Sequence, residues 1–102
     1  MSVTKIEEKD FKEKIRKEKV VVDCYADWCG PCKMISPIID ELSEELKDYN
    51  FYKLNVDNAE NVSKEYGIMS IPTILIFEKG KEKKRVVGFS PKEELKKLIE
   101  EK

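Results

Sequence analysis

Apolar residues fall along this chain in two rhythms, one of strand length and one of helical period, and the two alternate from end to end. Val20 to Ala26 is a nearly unbroken apolar run and predicts a buried strand. After it, Met34, Ile35, Ile38, Ile39, Leu42 and Leu46 recur at helical spacing and predict a long helix. Phe51 to Val56 reads as a second strand, and Ala59 to Tyr66 as a short helix closed by Gly67. Thr73 to Phe77 is another continuous apolar strand; Lys79-Gly80 marks a turn, and Glu82 to Val87 is expected to pair back antiparallel. Ser90-Pro91-Lys92-Glu93 has the residues of a capping box with proline at the first helical position, and Leu95, Leu98 and Ile99 give a closing helix its apolar face. At the front, Val3 to Ile6 reads as an edge strand, with Phe11 and Ile15 on a first helix.

Strands joined through a helix pair in parallel, whereas a tight turn pairs them antiparallel. The order of elements therefore predicts an α/β fold: a mixed central β-sheet, parallel in part and ending in a C-terminal antiparallel hairpin, flanked by helices on both faces. Val20 to Ala26 and Thr73 to Phe77 are the most apolar strands and should be central. Pro37 lies inside the long helical pattern, where it removes one backbone hydrogen bond. Because the apolar period runs through it, a kink is expected rather than an end.

At 102 residues the chain can build one core, so residues 1–102 are expected to form a single domain, with nothing suggesting more than a monomer. Lys and Arg number 20 against 21 Asp and Glu, and the signs are interspersed, which argues against a nucleic-acid partner. Lys5, Glu7, Glu8, Lys9 and Asp10 break up any apolar leader segment, and no run approaches the roughly 18 apolar residues of a membrane span. No membrane partner and a cytoplasmic location are the expectations.

The candidate chemistry is Trp28-Cys29-Gly30-Pro31-Cys32-Lys33, two thiols three residues apart where a strand hands over to a helix. If the helix starts near Cys29, that sulfur lies among unpaired backbone N–H groups, which favours the thiolate and makes Cys29 the better nucleophile. Residues three apart on a helix are neighbours at disulfide distance, so Cys32 can reach Cys29 and, one turn further in, should be less exposed and act as the resolving thiol. Pro31 suits the first helical turn. A structural disulfide or half a zinc site are the competing readings, since a lone Cys-x-x-Cys is only moderately specific. Zinc wants four ligands, and the chain has no histidine and no second Cys-x-x-Cys, so Cys24 and carboxylates would have to complete the site and no metal is expected. Asp23, inside an apolar strand, is costly to bury as a charge, and its pKa should be pushed up unless the strand ends at Val22.

Taken together, Asp23, Trp28 to Lys33, Lys53-Leu54-Asn55-Val56-Asp57 and Tyr66-Gly67-Ile68-Met69-Ser70-Ile71-Pro72-Thr73 resemble the thioredoxin family, in order and over nearly the whole chain. The resemblance implies a thioredoxin fold and a general protein disulfide reductase, an electron carrier with no bound cofactor. It implies Cys29 as attacking thiol, Cys32 as resolving thiol, Asp23 as the buried carboxylate that takes the resolving thiol's proton through water, and Lys53 as the lysine beside it. Ile71-Pro72 corresponds to the family's cis-proline loop. Trp28, Gly30, Pro31, Ile71, Pro72, Val87 and Gly88 would form a weakly apolar rim for partner proteins, Gly88 allowing close approach. The implied partners are disulfide-containing proteins and a thioredoxin reductase of unstated type. Two positions depart from the pattern: Tyr25 stands where many relatives have tryptophan, and Cys24 where they often have phenylalanine. Cys24 alternates with Asp23 and should face the opposite side of the sheet as a small buried hydrophobe.

Two other readings compete. An oxidant or isomerase on this fold tends to carry histidine between its cysteines, and Gly30-Pro31 supplies no such charge. A docking module with incidental thiols would keep its partner complex after both cysteines are replaced.

Overall fold

The computed structural model describes residues 2–101; Met1 and Lys102, the two ends of the expected domain, lie outside the described residues. Five strands form one sheet in the order β1-β3-β2-β4-β5: β1 Val3–Lys5, β2 Lys19–Tyr25, β3 Asn50–Asn55, β4 Thr73–Glu78 and β5 Lys81–Val87. β3 runs parallel to β1 and β2, while β4 is antiparallel to β2 and β5. The sheet is thus mixed, with β2 in the middle and β4 interior, and the first strand is an edge as its short apolar run suggested. Four helices cover it: α1 Phe11–Lys14, entered through a 3-10 turn at Glu8–Asp10, α2 Gly30–Glu45, α3 Glu60–Glu65 and α4 Lys92–Glu100.

Alternation along β2 divides the core. Val20, Val22 and Cys24 pack with Phe11, Leu54 and Phe77 on one face. Val21 packs with Ile35, Ile39, Phe51, Ile74 and Leu95 on the other, under α2 and α4. Asp23 and Tyr25, two and four residues beyond Val21, share that second face. Lys53 stands directly beside Asp23 in the β2–β3 register and, two residues from Phe51, faces α2 as well.

Element ends differ from the sequence pattern where turn chemistry takes over. Ala26 and Val56 fall outside β2 and β3, Val56 because Asn55 Oδ1 accepts the Asp57 N–H (3.0 Å) and opens a 3-10 turn at Val56–Asn58. The expected capping box is not formed: Pro91, with extended ψ of 156°, is itself the N-cap of α4, and no side chain caps that end. Proline fixes φ but leaves ψ free, so it closes the extended segment here instead of opening the helix. α2 runs through Pro37 without interruption.

Candidate active site

Cys29 is the N-cap of α2, with an extended backbone (φ −88°, ψ 113°) that turns the chain from β2 into the helix. Its Sγ accepts the Cys32 backbone N–H at 3.1 Å, and Pro31 occupies the first turn, where its missing N–H costs nothing. Cys29 and Cys32 are joined in a disulfide with Cα atoms 5.2 Å apart. A sulfur at this position meets the unpaired N–H groups and the positive end of a 16-residue helix, which stabilises it as an anion once the bond opens. The expected difference in exposure is not seen: Cys29 is 4% and Cys32 3% exposed. Cys29 is covered because Tyr25, Val56 and Ile71 pack on the small cluster it forms with Ala26 and Cys32.

Ile71-Pro72 is a cis peptide, and the Ile71 carbonyl oxygen lies 3.8 Å from Cys29 Sγ. The Pro72 carbonyl accepts the Gly88 N–H at 2.8 Å, tying this loop to the end of β5. Gly88 has φ +86°, a left-handed conformation, but nothing lies within 4 Å of where its Cβ would be. Its backbone angle by itself calls for glycine.

Around the dithiol, Gly30 and Pro31 are exposed, as are Trp28 at 71% and Val87 at 58%. Ile71 and Gly88 are half-buried, and Pro72 is buried, so it supports the surface from beneath instead of presenting itself on it. Three further residues belong here that the sequence reading did not single out. Met69 is 94% and Phe89 44% exposed, and both extend the apolar surface. Asp57 Oδ2 accepts the Trp28 indole N–H at 2.9 Å and holds the ring in place. Asp57 and Met69 lie inside the segments that carried the resemblance, but spacing alone does not tell which of those residues reach the surface. Trp28, Ile71 and Met69 also line an open groove of about 370 Å³ that runs toward Glu60 and Lys64 on α3.

Asp23 is 4% exposed, and its Oδ1 receives no hydrogen bond from any protein group. Burial pushes its pKa up from the ordinary 3.8 to about 7, with Lys53 pulling it down and Asp40 adding to the rise. Asp23, Lys53 and Cys32 meet at one cavity of about 160 Å³. Such a space, lined by polar groups, accommodates water between carboxyl and sulfur. Cys24, fully buried on the other face, is a free thiol whose pKa burial raises far above its ordinary value. Among the described residues no group of three or more His, Cys, Asp or Glu side chains is placed to hold a metal ion, and no helix is long and apolar enough to cross a membrane.

The thioredoxin family model matches residues 2–101. The chain belongs to the thioredoxin family. It is 51% identical to the thioredoxin of Mycoplasmoides gallisepticum over 82 residues, covering 80% of this chain and 82% of that one. With the thioredoxin of Staphylococcus aureus it shares 39% over 101 residues, 98% of this chain and 97% of that one. Among solved structures, Plasmodium falciparum thioredoxin superposes with a TM-score of 0.88 at 32% identity, covering 95% of this chain and 96% of that one. A mutant thioredoxin from Halobacterium salinarum gives 0.89 at 32%, over 97% and 88%. Family membership together with the Cys29–Cys32 pair makes the chain a thiol-disulfide oxidoreductase, carrying out dithiol-disulfide exchange and protein disulfide reduction. Its partners are disulfide-containing proteins and a reductase that recharges it.

Proposed function

We propose that Cys29 is the attacking thiolate and Cys32 the resolving thiol. Cys29 opens an exposed disulfide of the partner and is left joined to one partner sulfur. Cys32 then attacks Cys29, the partner leaves reduced by two electrons, and the Cys29–Cys32 disulfide remains. Asp23 takes the Cys32 proton through water, and Lys53 offsets the charge that Asp23 carries before it does so. Trp28, Gly30, Pro31, Ile71, Val87 and Gly88 receive the partner's chain, with Pro72 holding Ile71 in place. The chain works as one domain, as a monomer, without a bound cofactor and in the cytoplasm.

What most supports this order of attack is the capping geometry: Cys29 Sγ accepts a backbone N–H from the first turn of α2, whereas Cys32 lies one turn inward against the cavity that holds Asp23. A helix N-terminus lowers a thiol's pKa, and a buried carboxyl beside the other thiol is placed to accept its proton. Trapping tests the assignment. With a protein bearing one exposed disulfide, Cys32→Ser should accumulate a covalent adduct at Cys29, and Cys29→Ser should accumulate none. An adduct at Cys32 in the Cys29→Ser protein, formed as fast as the first, would reverse the roles.

A further inference from the structure

The edge strand β5 is irregular at one residue. In its register with β4, Phe77 faces Glu82 and Ile76 faces Lys84, so Lys83 is an extra residue with no partner. Side chains three apart on a regular strand point to opposite faces; the extra residue brings Glu82 and Arg85 to one face, across from Phe77 and Leu75. There the Glu82 carboxylate accepts two bonds from Arg85, from Nε at 2.6 Å and from Nη2 at 2.8 Å. A planar guanidinium held on two bonds is fixed in direction. Its other N–H groups point at the end of α3, where Nη2 donates to the Tyr66 carbonyl at 2.6 Å and Nη1 to the Gly67 carbonyl at 3.4 Å.

From that point the chain runs on to the dithiol. Gly67 turns at φ +62°, with the Ile68 N–H bonded back to the Ser63 carbonyl at 2.8 Å. Thr73 Oγ1 donates to the Ser70 carbonyl at 2.5 Å, and the Pro72 carbonyl accepts the Gly88 N–H, three residues beyond Arg85. Both ends of the loop 67–72 are therefore fastened to β5 or to the turn that follows it. Between these two anchors stand Met69, in the groove with Trp28, and Ile71, whose carbonyl oxygen lies 3.8 Å from Cys29 Sγ.

We propose that Arg85 is a positioning residue for partner docking: aimed by Glu82 across the bulge, it sets where Met69 and Ile71 stand beside Cys29. The proposal rests on the reading of Ile71 as part of the surface that receives the partner. Arg85 bonds to the start of the loop and not to the cysteine pair, so it acts through the loop. A loop already held in its receiving shape loses less freedom when a partner docks, and that difference adds to affinity. A small disulfide needs only the Cys29 thiolate and draws nothing from the loop.

Attack is read in the Cys32→Ser background as adduct formation, in which the Cys29 thiolate bonds to one sulfur of a disulfide and the other sulfur leaves as a thiolate. Its rate is followed against the concentration of a protein bearing one exposed disulfide, and separately with dithiobis-nitrobenzoate, a small aromatic disulfide. Arg85→Met keeps the aliphatic stem and removes the fork; it should raise the half-saturating protein concentration about tenfold and leave the limiting rate and the rate with the small disulfide unchanged. Arg85→Lys keeps the charge without the planar fork and should raise that concentration at least about threefold. Glu82→Ala frees the guanidinium to turn and should act in the same direction, which keeps the test open if Arg85→Met does not fold. No rise in the folded variants, equal slowing with both disulfides, a fall confined to the limiting rate, or an Arg85→Lys protein that matches the parent would overturn the proposal. Ile71→Ala separates it from the reading beneath it, and should raise the half-saturating concentration by itself. If it does not, the receiving surface falls and this inference with it; if it does while Arg85→Met has no effect, only the role of Arg85 falls.

Discussion

Asp23 is a carboxyl that the fold buries almost completely and offers no protein hydrogen bond at Oδ1, so its charge is a standing cost. Its pKa in the folded chain is about 7 against an ordinary 3.8, which means the folded state binds the proton more tightly than the unfolded chain. Stability therefore falls as pH rises from about 4 to about 7 and levels off above. Asp23→Asn removes that slope: at pH 8 the variant should be more stable than the parent by up to about 4 kcal/mol, and near pH 4 it should have no advantage. Denaturant unfolding of the oxidised protein at the two pH values checks this, and equal stability of the two proteins at pH 8 would contradict it. Cys24 is the opposite case, a titratable group the site does not use. Fully buried and pushed far toward the thiol, it should resist alkylation in the native protein and react only on unfolding, as mass measurement after iodoacetamide treatment would show.

At the scale of elements, α3 shows how a helix of six residues survives with no cap of its own. Ala59 at its N-cap has no side-chain acceptor, and Glu8 reaches across from the turn before α1 so that its Oε2 accepts the Val62 N–H at 2.7 Å. At the other end Arg85 on β5 donates to the Tyr66 carbonyl at 2.6 Å. Glu8→Ala should cost about 1 kcal/mol in chemical unfolding, the usual value of a lost cap, and no change would mean that water replaces it fully. α3 leads into the loop that carries Ile71 to the dithiol, so these distant residues also hold the site. None of this was legible beforehand. Periodicity located α3 and its Gly67 stop, but a cap supplied from 54 residues away leaves no local signal. The Ser90 pattern shows the reverse: the residues of a local cap are present, and the backbone at Pro91 stays extended instead.

For the whole molecule, the apolar runs were sufficient to place the interior strands β2 and β4 and the hairpin, because a strand buried on both faces has to be continuous in apolar residues and a hairpin has to turn at Lys79-Gly80, whereas the strand order β1-β3-β2-β4-β5 leaves no mark in them. Cys29, Cys32 and Asp23 came forward from the sequence because each breaks the apolar pattern or repeats a known spacing, and Lys53 through the family resemblance alone. The cavity walls at Tyr25 and Ser36 and the Asp57 clamp on Trp28 did not, since they depend on register between β2 and β3 and on how α2 seats over them. The redox pair at the junction of β2 and α2 is the centre that the other site residues support. Its most direct test is to let the fully reduced protein react with a partner carrying one exposed disulfide and to map the protein's thiols by mass. Two thiols should disappear per partner disulfide reduced, both from Cys29 and Cys32, with Cys24 still a thiol. Turnover that persists with Cys29 and Cys32 replaced, or a lasting disulfide that includes Cys24, would contradict it.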